Sequence, residues 1–170
     1  MELDAVLRWL EATSMATAIR EGASYFPWIE ALHVLAIVVV VGSIAILDLR
    51  LLGLASKDRS VERLMADTLP CSQAAFALAA TTGALLFSSR AIDYAHNSYL
   101  QLKLVFLVLA GINVALFHLL GSKGLQIWGT PPNRTPLRAK IAGGASLLLW
   151  IGVIVCGRWI GFTLTRAAAG

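Results

Sequence analysis

Four stretches of the chain are apolar for about twenty residues at a time, at about 27–53, 69–89, 99–120 and 141–163. A run of that length matches the hydrocarbon thickness of a bilayer. A backbone in hydrocarbon must satisfy its own hydrogen bonds, so each run is expected to be a spanning helix. Ahead of the spans, Leu3, Val6, Leu7 and Leu10 recur at helical spacing with charged residues between them. That spacing predicts an amphipathic helix over about 3–20, lying at the membrane interface, with Pro27 and Trp28 marking the turn into the bilayer. Between the spans, 56–67 is polar with charges of both signs, and 121–140 contains Pro131, Pro132 and Pro136, which deny it a continuous helix. The expected fold class is all-α: an integral membrane four-helix bundle with an N-terminal interfacial helix, forming a single domain over 1–170.

Composition agrees with the pattern. Apolar residues make up 58% of the chain, charged residues 14%, and the mean hydropathy is +0.74. Soluble domains carry roughly 25% charge, so a soluble enzyme is not expected. The net charge of +4 comes with no basic stripe, and no nucleic-acid partner is expected. Cys71 and Cys156 lie inside apolar stretches and read as small apolar fillers. The first 22 residues contain Glu2, Asp4, Arg8, Glu11, Arg20 and Glu21 and lack an unbroken apolar segment, so no cleavable signal peptide is expected. Eight of the fourteen Lys and Arg residues fall in the connections after the first and third spans. By the positive-inside rule those connections face the cytoplasm of a bacterial inner membrane, and both termini face outward, to the periplasm.

Ionisable side chains inside a span are costly and usually face the bundle interior. On the first span Glu30 and His33 are three residues apart and share a face. On the third, Lys103, Ala110, Val114 and His118 fall on one side, with Asn113 on its flank. The fourth carries Arg158 between Gly157 and Gly161, a small-xxx-small pair that lets another helix approach. Under the expected orientation Glu30, His33, Lys103 and Arg158 all lie in the outer half. Lys103 can equally form a structural ion pair with Glu30, and Arg158 can extend toward the outer headgroups. Asp48 and Arg50 close the first span and are expected to anchor that end at the interface, with contact between Asp48 and a charge on a neighbouring helix as the alternative.

His33 lies about two turns into an apolar helix, where an imidazole needs a hydrogen-bond partner or a ligand. Haem held by a helical bundle commonly takes an axial histidine, and a b-type haem needs no covalent attachment motif. His118, near the inner end of the third span, is displaced axially from His33 by about 15–20 Å, too far to share one iron. It serves another cofactor or faces headgroups. His96, in the outer connection 91–98, is on the correct side but far out. The second axial ligand is unassigned.

Two blocks carry a family resemblance. One is Glu30-Ala31-Leu32-His33-Val34-Leu35 followed by Asp48-Leu49-Arg50-Leu51-Leu52. The other runs from Ser72 through Thr82-Gly83-Ala84-Leu85-Leu86 to Leu100-Gln101-Leu102-Lys103-Leu104, Asn113 and His118. In order and spacing they resemble a superfamily of small bacterial inner-membrane proteins that includes the copper resistance protein D family and the haem-containing protoporphyrinogen oxidases of the HemJ type. The likeness covers about 90 of the 170 residues. In the oxidase branch the histidine of the first helix and the lysine at the start of a later one are associated with haem and activity, and these match His33 and Lys103. That branch has a histidine two residues before the lysine, where this chain has Gln101, and a Leu-Pro-Arg-Leu where this chain has Leu47-Asp48-Leu49-Arg50-Leu51. The resemblance therefore implies a sibling family.

The leading expectation is a haem b protein with His33 as axial ligand, Lys103 or Arg158 pairing with propionates, and Glu30 beside them. Its role would be electron transfer or membrane oxidoreduction with quinone or another redox protein. The alternative is copper handling or other small-solute transport. Copper(I) prefers thiolate and thioether ligands, yet Met1, Met15 and Met65 lie outside the spans. A third possibility is a structural or assembly subunit. The lipid-facing surface left by four helices makes a homo-oligomer an expected partner state.

Overall fold

The computed structural model describes residues 2–56, 58–121 and 135–167. They form seven helices: α1 (Glu2–Glu11), α2 (Ser14–Glu21), α3 (Tyr25–Leu52), α4 (Val61–Ser89), α5 (Ala91–Ala95), α6 (Ser98–Gly121) and α7 (Leu137–Ala167). No strand occurs among the described residues. Within α3, α4, α6 and α7 lie stretches of 28, 29, 22 and 28 residues that are long and apolar enough to cross a membrane. At 1.5 Å per residue the shortest is about 33 Å, sufficient for the hydrocarbon core. Large apolar side chains face outward along them: Leu148 is 71% exposed, Leu35 63% and Val38 62%. In water such a surface would aggregate; in lipid it is solvated.

The expected boundaries shift for local reasons. α4 begins at Val61, well before the apolar run, because the Ser60 side chain accepts from the Arg63 backbone N–H and caps a polar first turn. α7 begins at Leu137 directly after Pro136, whose missing N–H is harmless at a helix start. Pro131 and Pro132 lie outside the described residues. The single interfacial helix expected over 3–20 is two helices: Thr13 is extended and its hydroxyl accepts from the Ala16 N–H, starting α2 afresh. The connection 91–98 contains the short helix α5. At the far end of α3, Gly53 adopts φ 79°, and Leu54 N–H returns to the Leu49 carbonyl at 2.9 Å, closing the helix.

α4 packs on α3, α3 on α7, and α7 on α6, whereas α4 and α6 have sparse close contact between their backbones. Midway down, Val40, Ala110, Trp150 and Val153 form a core, against which Ala75 and Phe106 lean from the two outer helices. A second core of Leu51, Val61 and Ala139 lies near the connection 53–60, which we term the loop end. α1, α2 and α5 cover the other, capped end. There Arg20 donates to the Ser89 carbonyl (3.1 Å), Glu11 accepts from the Ile92 N–H (2.9 Å), and Asn97 donates to Thr163 Oγ1 (2.7 Å).

Two glycines of α7 set its spacing. A Cβ on Gly143 would meet the Asp48 carbonyl oxygen and Leu51 Cβ, each at 3.1 Å, and one on Gly152 would meet the Phe106 ring at 2.8 Å. The pair singled out in the sequence behaves differently: nothing lies within 4 Å of a Cβ on Gly161, and Gly157 faces Lys103. Gly143→Val is expected to destabilise the protein by about 1–3 kcal/mol through overpacking against α3. Thermal unfolding in detergent checks this, with Gly111→Ala, which meets nothing within 4 Å, as the neutral control.

Candidate functional site

Each spanning helix contributes to one polar cluster in the half of the bundle nearer the capped end. His33 comes from α3, and its Nδ1 lies 3.0 Å from Thr82 Oγ1 on α4. The Thr82 hydroxyl already donates to the Leu78 carbonyl at 2.7 Å. With that proton committed, Oγ1 accepts, and His33 Nδ1 carries the hydrogen. The Ala79 carbonyl, which can only accept, also faces the ring. Nε2 is left with its lone pair. The next residue on α4 is Gly83, where a Cβ would stand 3.0 Å from His33 Cε1, so the imidazole occupies space that only glycine leaves open. The pair Thr82-Gly83 both clamps the ring and makes room for it.

Opposite them is Lys103, half-buried on α6, close enough to His33 to act on it electrostatically. Its Nζ lies 3.8 Å from the position of a Cβ on Gly157, and the buried Cys156 thiol is its electrostatic neighbour. Because α4 and α6 have sparse close contact between their backbones and pack chiefly on α3 and α7, the imidazole and the ammonium meet in a groove between these two outer helices. An imidazole with a free Nε2 and an ammonium share the groove. That combination can ligate a metal centre through nitrogen and hold an anionic substituent beside it.

The other sequence candidates lie elsewhere. Glu30 is exposed and acts on Tyr94 of α5; no ion pair joins it to Lys103 among the described residues. Arg158 is exposed, with its guanidinium 4.7 Å from the centre of the Phe162 ring, beside a stack of Tyr99 and Trp159. This is an interfacial aromatic setting, with Gly157 rather than Arg158 turned to Lys103. His96 is exposed at the end of α5, its Nδ1 2.9 Å from the Ile92 carbonyl and its Nε2 4.0 Å from Asp4. His118 is exposed toward the far end of α6, with Nδ1 2.9 Å from the Val114 carbonyl. Fifteen residues of helix separate it from Lys103, about 22 Å. The structure does not bring the three histidines together.

Sequence reasoning missed the burial of Asp48 and Arg50. They do not anchor an interface: Asp48 is 5% exposed and Arg50 2%. Asp48 finds the Ser146 hydroxyl of α7 rather than a charge, and Arg50 Nε donates to the Arg59 carbonyl at 2.8 Å. The signal for Thr82 as a partner of His33 was equally faint, because a threonine in an apolar helix reads as a residue bonded to its own backbone.

Fold and site define a multi-pass helical membrane protein in which one intramembrane histidine is held by a neighbouring helix, its second ring nitrogen making no hydrogen bond among the described residues. The chain belongs to a family of unknown function, DUF6644, which it matches over residues 6–163. Neither a curated protein nor a solved structure matches it.

Two outcomes follow from the site geometry. Nitrogen NMR of labelled histidine is expected to show His33 as the single Nδ1–H tautomer, and Gly83→Val, which pushes the ring off Thr82, to break that uniformity. At the capped end, burial raises the pKa of the Tyr94 phenol, the Glu30 carboxylate raises it further, and Arg90 opposes them. Tyr94 therefore keeps its proton to higher pH than an ordinary tyrosine. Glu30→Gln is expected to move its ionisation to lower pH while leaving the larger effect of burial, measured by tyrosinate absorbance.

Proposed function

We propose that this protein is a haem b-binding membrane protein, acting in electron transfer or membrane oxidoreduction in a bacterial inner membrane, with both termini periplasmic. The observation that carries this reading is the His33 imidazole, fixed by Thr82 so that Nε2 is available as an axial ligand. A ligating histidine characteristically gives its other ring N–H to an oxygen acceptor, which fixes its orientation and raises its basicity. Thr82 and the Ala79 carbonyl serve that role here. Lys103, close enough to His33 to act on it electrostatically, would pair with a propionate, and the sparse contact between α4 and α6 favours a ligand entering between them. Arg158, over Phe162, is less well placed for a propionate than Lys103.

Haem would supply one-electron redox chemistry; the chain supplies a nitrogen ligand, a cation and a lipid-facing groove that admits an apolar partner such as quinone. The likeness to the copper resistance D and HemJ-type superfamily supports the same residues, His33 and Lys103. It also gains a physical reason for its Thr-Gly pair, which here holds the histidine. Copper handling is less well supported: among the described residues no three His, Cys, Asp or Glu side chains converge, and Cys71 is exposed while Cys156 is buried on another helix.

The test is the absorption spectrum of the detergent-purified protein, oxidised and dithionite-reduced, from cells with ample haem. A b-type spectrum is expected, lost in His33→Ala and with haem retention reduced about tenfold or more in Thr82→Val, the usual scale for losing a group that orients a ligand. Lys103→Gln is expected to weaken retention while preserving the spectrum. A colourless wild-type preparation would overturn the reading.

A further inference from the structure

Away from the His33 groove, two buried polar atoms have no hydrogen-bond partner among the described residues: the acceptor Asp48 Oδ2, toward the loop end, and the donor Trp150 Nε1, in the mid-bundle core. Both residues are more than nine-tenths buried, at 5% and 8% exposure. They lie on α3 and α7: Asp48 is where Gly143 meets α3, and Trp150 is about two turns further along α7, packed in the core with Val40 of α3. Ser146, which hydrogen-bonds the Asp48 carboxyl, is one turn before Trp150. Helical side chains lean toward the N-terminus of their own helix. α3 runs toward the loop end and α7 away from it, so Asp48 leans up toward Trp150 while Trp150 leans down over the turn of Ser146.

A stranded donor and a stranded acceptor in one interface are answered by the same small molecule. Water accepts from an indole N–H and donates to a carboxyl oxygen, and buried waters are commonly held by such otherwise unsatisfied groups. The carboxyl has a second requirement. A carboxylate excluded from water with no cation beside it is far costlier than the neutral acid. At the loop end Arg50 bonds the Arg59 carbonyl, Arg59 pairs with Asp67 at 3.8 Å on the surface, and at the start of α7 Arg138 is exposed and Lys140 half-buried; burial and the Ser146 hydroxyl, not a cation, act on the Asp48 carboxyl. From α7 the carboxyl meets the neutral Ser146, and on α6 Asn113 donates to the Ala142 carbonyl at 3.0 Å while His118 is exposed. On α4 the charged residues Glu62, Arg63 and Asp67 are exposed.

We propose that Asp48, Ser146 and Trp150 form a hydrated proton-binding site, with water bridging Trp150 Nε1 to Asp48 Oδ2 and the carboxyl taking its proton from solvent at the loop end. The site is independent of what His33 carries. It gives the bundle a group able to accept and release one proton within the membrane.

Infrared spectroscopy of the full chain in nanodiscs tests this, because a protonated carboxyl has a carbonyl band separate from those of ionised carboxylates and shifts in D2O. Exposed carboxyls are ionised at neutral pH. One deuterium-sensitive carboxylic-acid band is expected at that pH, deleted by Asp48→Asn and moved in frequency by both Trp150→Phe and Ser146→Ala. If Asp48→Asn fails to fold, the shifts in the other two variants assign the band, since Asp48 is the carboxyl that Ser146 hydrogen-bonds and that the proposed water joins to Trp150. Absence of the band in the wild type, its survival in a folded Asp48→Asn variant, or its indifference to Trp150→Phe would each overturn the proposal.

Discussion

The approach of α7 to α3 is the contact on which the rest depends. α4 packs chiefly on α3, and α6 chiefly on α7, so the α3–α7 seam joins the two helix pairs. In lipid no hydrophobic force drives helices together, and close packing at small residues replaces it. Gly143 supplies that closeness by letting the α3 backbone come within contact of α7. The groove between α4 and α6, and with it the setting of His33, is what the seam leaves open.

The polar groups within the bundle follow from the same arrangement. In hydrocarbon each must find a partner, and the partners lie across helix interfaces: Thr82 for His33, the Ala142 carbonyl for Asn113, and Ser146 for Asp48. Two polar regions result, a basic one around His33 and Lys103 and an acidic one at Asp48, with the Val40, Ala110, Trp150 and Val153 core lying toward the middle of the bundle.

Much of this was legible in the residues themselves. Apolar run length specified four spanning helices, because hydrocarbon thickness and the need for internal backbone pairing leave no other structure. His33 and Lys103 stood out as ionisable groups in apolar helices, and the structure brings them together. Their expected companions dispersed for definite reasons: Arg158 found an aromatic ring, Glu30 faced Tyr94, and His96 and His118 turned to nearby backbone carbonyls.

What the sequence alone determined was the class of structure, the number of spans and which residues are expensive to bury, since these depend on composition and local periodicity. Tertiary structure decided which of those residues meet. Whether Gly83 or Gly161 makes room for a neighbour, whether Asp48 ends at an interface or in the core, and which nitrogen of His33 is free all depend on the rotation of each helix about its axis. That rotation is set by close packing between helices distant in the chain, where an apolar run that is hydrophobic all round carries no signal of its own.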